Sequence, residues 1–337
     1  MNSNQANGKL YDVIVLRFVA IIIVVAFHAY GMMYADTHFP ALKHIYYRLY
    51  FTWNQCVIVN VAMPMFVFVS GYLFAFLWRK GKYQNFWELV KNKAKRVLLP
   101  YFIFGLVMMA TTNNFHPFTL LYGNYWHLWF LPMLFWCFVV AFFLNKYFIS
   151  LKAQIAIACI SFILSLFPCF IPRLLGVQGV SIWFCWFYLG IIIYNYKEKL
   201  ILCIAKFRLE YILFIAYLVI TIYKPTAYAD VYWYNVIAQI CIVVVLWYWV
   251  NKIDWHKIKL MQPIVSISNF SYGIYIFHNW IQMYLISSTA QRLLPLEKWA
   301  AEHTILFPLC FFLLSFGISY GLTRLLLKTR IGRFLIG

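Results

Sequence analysis

The sequence predicts an all-α protein of the polytopic membrane class, a bundle of about ten transmembrane helices with both termini in the cytoplasm. Three observations predict it. Of 337 residues, 65% are hydrophobic and only 11% charged, with mean hydropathy +0.77, and no water-soluble core hides that much apolar surface. The apolar residues fall into ten runs separated by polar breaks. The Lys and Arg residues alternate between dense and sparse from one break to the next.

The runs lie near 13–34, 50–78, 97–112, 125–145, 151–168, 179–196, 210–223, 230–251, 263–286 and 303–327, the third and seventh being short. With the N-terminus inside, the inner segments hold 21 basic residues, from Lys9 through the cluster Arg79–Arg96 to Arg333. The outer segments hold 6: Lys43, Arg48, Arg173, Lys224, Arg292 and Lys298. That asymmetry sets the orientation and accounts for most of the net charge of +19, which therefore does not point to nucleic acid. The polar start MNSNQANGKLYD has one lysine and no small-residue cleavage site after the first apolar run, which predicts a retained span. A cytoplasmic tail (1–11), one membrane domain (12–328) and a second tail (329–337) are the simplest division. The inner segment 79–96 mixes lysines with Phe86, Trp87 and Leu89, the pattern of an amphipathic surface helix. The eight cysteines sit almost entirely in apolar runs without a C-x-x-C pair. They read as small buried hydrophobes, with no disulfide framework and no metal site.

Within the first span, VLRFVAIIIVVAFHAY carries Arg17 and His28, both expensive in hydrocarbon. Eleven residues separate them, about 16 Å of rise and about 20° of rotation, so they share one helix face at two depths. Asp12 is placed as an N-cap at the inner surface. The fourth span opens YWHLWFLPML, setting His127 and Trp129 near the outer boundary. In the ninth, PIVSISNFSYGIYIFHNW, Ser271, Tyr275 and His278 are spaced i, i+4, i+7 on one face. Three histidines thus fall in the outer half, while Arg17, Lys93, Lys95 and Arg96 fall at the inner side. Simpler roles compete with chemistry: snorkelling for Arg17, a core hydrogen bond for His28, interfacial packing for His127 and His278, and orientation charge for Lys91–Arg96.

A cation layer inside and an imidazole layer outside suit group transfer between a donor and an acceptor on opposite sides. Arginine and lysine would dock the phosphates of a donor. His28 would serve as general base on an acceptor hydroxyl, or carry the acyl group covalently. Coenzyme A fits the donor role by shape and charge, with anionic phosphates at one end of a thin arm and a thioester at the other.

YDVIVLRFVAIIIVVAFH resembles the opening of the acyltransferase family 3 membrane proteins: Asp12, Arg17 five residues on, and His28 eleven after that. PMFVFVSGYLF, with Ser70, Gly71 and Tyr72, is similar to the family's second-span signature. KAKRVLLPYF is similar to its basic motif, YWHLWFLPML to its His-Leu-Trp motif, and SNFSYGIYIFH to its late Ser-Tyr-x-x-Tyr-x-x-His motif. The five motifs occur in order across residues 12–278. The resemblance implies O-acylation, usually acetylation, of a hydroxyl on an extracytoplasmic polysaccharide or lipid-linked glycan at a bacterial inner membrane. Acyl-coenzyme A, most often acetyl-coenzyme A, is the implied donor, and no metal is implied. Arg17 and His28 carry over as the essential intramembrane pair and Arg96 as a donor-binding cation. The family often has arginine where this chain has Lys93, and lysine cannot make the same planar fork. His127, Trp129, Tyr275 and His278 are the candidate acceptor-binding residues. The short stretch after the last run predicts a standalone membrane domain, without the soluble esterase-like domain fused to some members of that family.

A transporter or glycan flippase is the rival class. Transporters pair broken helices in matching halves and place ionisable groups near the midplane. Here only nine acids occur, mostly in loops, and the outer loops at 35–49 and 287–302 are modest. The acceptor, the acyl group and the oligomeric state are not legible in the residues.

Overall fold

The computed structural model describes residues 10–35, 40–54, 58–112, 115–166, 171, 173–223, 232–287, 290 and 294–337. Lys9, Cys56, Cys169, Lys224 and Arg292 lie outside them. The described residues form helices and no strand: α1 (Tyr11–Ala35), α2 (Lys43–Trp53), α3 (Val59–Arg79), α4 (Phe86–Lys93), α5 (Leu99–Thr111), α6 (Phe130–Tyr147), α7 (Leu151–Leu166) and α8 (Val177–Asn195). They continue as α9 (Lys197–Phe207), α10 (Leu209–Tyr223), α11 (Tyr232–Lys252), α12 (Met261–Leu285), α13 (Leu296–Glu302), α14 (Leu306–Leu326) and α15 (Arg330–Ile336). Among the described residues, seven helical stretches are long and apolar enough to cross a membrane, so the chain is a polytopic helical membrane protein.

The other three expected spans are α7, α10 and α12. The first two are apolar but short, with 16 and 15 residues. Helix α12 has 25 residues, about 37 Å of rise, but carries too many serines, aromatic hydroxyls and amides to read as apolar. Those polar groups are turned inward. Ser268, Ser271, His278 and Gln282 are all buried. Gln282 Nε2 donates to Val25 O of α1 and to Ser315 Oγ of α14, each at 3.1 Å, and the Ser266 and Tyr320 hydroxyls meet at 2.8 Å. Hydrogen bonds between helices replace the hydrophobic drive that hydrocarbon does not provide.

Several expectations from the sequence need correction. In the run at 50–78 the stretch long and apolar enough to cross is Val59–Arg79, the run's first residues belong to α2, and 55–57 lie outside the described residues. Helix α2 is amphipathic, with Tyr46 and Tyr50 one turn apart, and their hydroxyls donate to Ala300 O (2.8 Å) and Thr304 O (2.7 Å). Asn54, fully buried just after α2, donates to Phe27 O (3.0 Å) and the Tyr34 hydroxyl (2.9 Å). These hydrogen bonds seat α2 on the Ala300–Thr304 segment. Asp12 is not an N-cap: α1 begins at Tyr11, and Asp12 Oδ1 accepts the Val13 N–H (2.9 Å) from within the first turn. Cys137, Cys185 and Cys241 are buried, but Cys159, Cys203 and Cys310 are exposed, since a thiol is as acceptable against lipid as in a core.

The third span is longer than expected, running Phe86–Thr111. Asn85 caps α4, accepting the N–H groups of Trp87 (2.8 Å) and Glu88 (3.3 Å), and Leu89 is buried while Trp87 is 74% exposed. Between α4 and α5, Ala94–Leu98 form a π-helical turn. Pro100 explains it. In a straight α-helix its ring would clash with the carbonyl four residues back, that of Arg96, and a wider turn relieves the clash.

The chain packs as two compact units, one from Met1–Met63, Thr221–Tyr228 and Trp249–Gly337, the other from Pro64–Ile220 and Ala229–Tyr248. In the first, α1 and α14 flank α12 and α2 lies on α1, with Tyr34, Leu42, Tyr46, Leu296 and Phe311 in a common core. In the second, α6 and α7 pack on α8. Here Gly71 of the expected Ser-Gly-Tyr signature shows its purpose: a Cβ there would collide with the carbonyl oxygen of Phe187 on α8. Gly190 of α8 is equally tight against Phe68 of α3. Small residues let the two backbones touch. Gly71→Ala should therefore cost about 1–3 kcal/mol or more, the range for overpacking. It should lower the thermal unfolding midpoint in detergent, and an unchanged midpoint would show that α3 and α8 separate freely.

Candidate functional site

Arg17 and His28 both face α12, as their shared helix face requires. Arg17 Nη2 donates to Ser271 Oγ at 2.8 Å. Among the described residues no carboxylate lies within ion-pair reach of Arg17, so a largely buried guanidinium meets only a neutral hydroxyl. An unpaired cation inside a membrane protein is costly, and the cost falls when an anion arrives.

About three turns along α1, His28 meets His278. The ring centroids are 4.9 Å apart at 65°, and His278 Nε2 lies 3.2 Å from His28 Nδ1. The surrounding acceptors assign the protons. His278 Nδ1 faces the carbonyl oxygens of Tyr275 (2.7 Å) and Ile274 (3.2 Å). Carbonyls only accept, so this nitrogen carries hydrogen, and in the neutral ring Nε2 is then an acceptor. His28 Nδ1 faces that acceptor and also Val24 O at 3.0 Å, so it too carries hydrogen. The lone pair of neutral His28 is thereby directed to Nε2. One imidazole orients another, as a carboxylate orients histidine in a hydrolytic triad. His278 is fully buried and His28 half-buried.

The sequence groups His278 with the acceptor-binding residues, but the structure sets it against His28 and buries Tyr275 on the same helix. Lys93, Arg96, His127 and Trp129 belong to the second unit. Lys93 Nζ stands 3.6 Å from the centre of the Phe138 ring and 5.1 Å from that of Tyr83, a cation–π seat. Lys95 and Arg96 lie exposed on the π turn. His127 is buried in a short 3₁₀ turn, Trp126–Trp129, that leads into α6. Trp129 pairs with Trp183 at 5.3 Å, and both line a cavity of about 190 Å³ with Tyr122, Asn124, Arg173 and Gln178. This cavity lies at the N-terminal ends of α6 and α8, whereas Lys146 and Asn195 mark their other ends.

Ser271 as the partner of Arg17, and Trp183 as the partner of Trp129, are not named by the sequence reasoning. Ser271 carried a signal, its i, i+4, i+7 spacing with Tyr275 and His278. Trp183 carried none beyond an aromatic-rich run.

The family model described as an acyltransferase domain matches residues 10–324, nearly the whole chain. No curated protein and no solved structure matches. The matched region contains the Arg17–Ser271 contact, the His28–His278 pair and the cavity at Trp129. By that match and by its membrane-spanning helices, the chain belongs to acyltransferase family 3 and is a multi-pass membrane acyltransferase.

Proposed function

We propose that the protein is an O-acetyltransferase of a bacterial inner membrane. It takes the acetyl group from cytoplasmic acetyl-coenzyme A and delivers it to a hydroxyl of an extracytoplasmic polysaccharide or lipid-linked glycan. The observation that carries this reading is Arg17 with no counter-charge among the described residues and His28 with an orienting imidazole, on one helix face, about 16 Å of rise apart. A buried cation awaiting an anion suits the phosphates of the donor, with Arg96 and Lys93 as further donor contacts. An oriented base further along the helix suits a hydroxyl.

In the proposed reaction, the acceptor hydroxyl oxygen attacks the thioester carbonyl carbon while His28 Nε2 takes the hydroxyl proton. The tetrahedral centre then collapses with cleavage of the C–S bond, and the imidazolium returns the proton to the departing sulfur. The products are the glycan ester and free coenzyme A. His278 is the positioning residue, since its Nε2 receives the Nδ1–H of His28. Trp129 and His127 remain the acceptor-side candidates, the indole face offering its negative quadrupole to the C–H face of a sugar ring.

Vesicles of known orientation test the reading. With acetyl-labelled coenzyme A on the cytoplasmic face, free coenzyme A should appear on that same face and labelled ester on acceptor supplied opposite. Labelled coenzyme A accumulating in the far compartment would favour a transporter. Acetylation only of acceptor on the donor's own side would put the reactive imidazole at the wrong depth.

A further inference from the structure

In the second unit, α6 and α7 both pack on α8 but, among the described residues, scarcely on each other. Residues 148–150 join them, so the pair forms an open hairpin with a cleft floored by α8. Val140 and Leu144 of α6, Ala156, Ile160 and Leu164 of α7 and Phe184 of α8 line it. Its volume is about 600 Å³, within the range of ligand sites, about 300–1,000 Å³. We propose that this cleft holds one acyl chain of an anionic glycerophospholipid, with the phosphate seated against Lys146 and Lys152.

Three observations carry it. First, the cleft is hydrocarbon throughout. Its two hydroxyls turn back on their own helices, Ser161 Oγ donating to Ala158 O (2.9 Å) and Ser181 Oγ to Gln178 O (2.8 Å). Water finds no partner in such a place, so an apolar group must fill it. Second, its length is that of one leaflet. From Ala153 to Leu164 α7 rises about 16 Å, half of a hydrocarbon core of about 30 Å. The candidate span Pro117–Tyr147 ends one residue before Phe148, which sets the turn at headgroup level and the cleft below it. Third, the turn carries charge without counter-charge. Lys146 and Lys152 flank it, both exposed, and Arg79 lines a polar cavity that shares Phe148 with the cleft. From residue 89 to residue 197 the sequence has no Asp or Glu. Among the described residues no carboxylate lies within ion-pair reach of these three cations. A phosphodiester supplies the anion at the mouth of the apolar cleft. A zwitterionic headgroup brings its own ammonium against the lysines. A second copy of this chain, seated symmetrically on the same face, would set the basic turn against its own image.

The test uses the full chain in detergent micelles, titrated with phosphatidylglycerol or with phosphatidylcholine of the same acyl chains. Bound lipid is counted by native mass spectrometry. Wild type should bind phosphatidylglycerol about tenfold more tightly, since each lysine near an anionic headgroup is worth about fivefold. Lys146→Gln with Lys152→Gln should lose most of that preference and leave phosphatidylcholine binding unchanged. Lys206→Gln with Lys328→Gln, which removes two cations elsewhere, should keep it. Ala156→Trp and Ile160→Trp fill the cleft from exposed positions of α7, and each should weaken both lipids. Either one suffices where the other fails to fold. Equal binding of the two lipids by wild type overturns the proposal. Equal losses in the two lysine pairs also overturn it, because they report surface charge alone. Undiminished phosphatidylglycerol binding in a folded tryptophan variant overturns it too, because the headgroup then needs no chain in the cleft. A wild-type dimer that the tryptophan variants dissociate assigns the cleft to a second copy. Displacement of phosphatidylglycerol by an equimolar isoprenoid phosphate assigns it to that lipid. Either result overturns the proposal.

Discussion

His28→Ala should reduce acyl transfer by about 10²–10⁴-fold, the range for loss of a positioned general base, while the protein still inserts and purifies as wild type does. His278 separates chemistry from packing. His278→Leu should slow transfer less than His28→Ala, because it removes one of the two acceptors of the His28 Nδ1–H, Val24 O remaining, and leaves the base in place. His278→Gln keeps a carbonyl oxygen within reach and should recover part of the rate. The pH profile is the discriminating measurement, since a merely structural role would lower the plateau without moving the limb set by His28. Near-normal glycan acylation by His28→Ala would make His28 structural and end the proposed mechanism.

Removing the charge of Arg17 should be the next largest effect, and on binding rather than on the chemical step. Arg17→Gln retains a donor to Ser271 Oγ but offers no charge to the donor phosphates. A desolvated charge-assisted hydrogen bond is worth about 1.5–3 kcal/mol, so acetyl-coenzyme A should bind at least about tenfold more weakly. Arg17→Lys should fall between, since an ammonium keeps the charge and loses the fork. Arg96→Ala, at an exposed position on the π turn, should cost less than Arg17→Gln, and Arg96→Lys less still. Calorimetry in detergent is the measurement. Unchanged affinity in folded Arg17→Gln would remove this residue from the donor site.

Legibility in the sequence followed the range of the interaction. The common face of Arg17 and His28 is a property of eleven consecutive helical residues, and local helix geometry suffices to see it. The inward polar stripe of α12 is legible for the same reason, although its low hydropathy disguises a 25-residue helix. The seat of α2 is a different case. Apolar composition cannot show that Tyr46 and Tyr50 reach carbonyls about 250 residues away, at Ala300 and Thr304.

Composition and residue order specify a helical membrane protein, the place of most of its spans, and the side chains too polar for their surroundings. Those properties follow from composition and from the transfer cost of each residue, summed locally. What those polar side chains meet is set by packing between helices. Ser271 for Arg17, His278 for His28 and Phe138 for Lys93 are partners on other helices. Helix pairing in hydrocarbon is settled by close backbone approach and by mutual satisfaction of buried polar groups, neither of which a single helix contains.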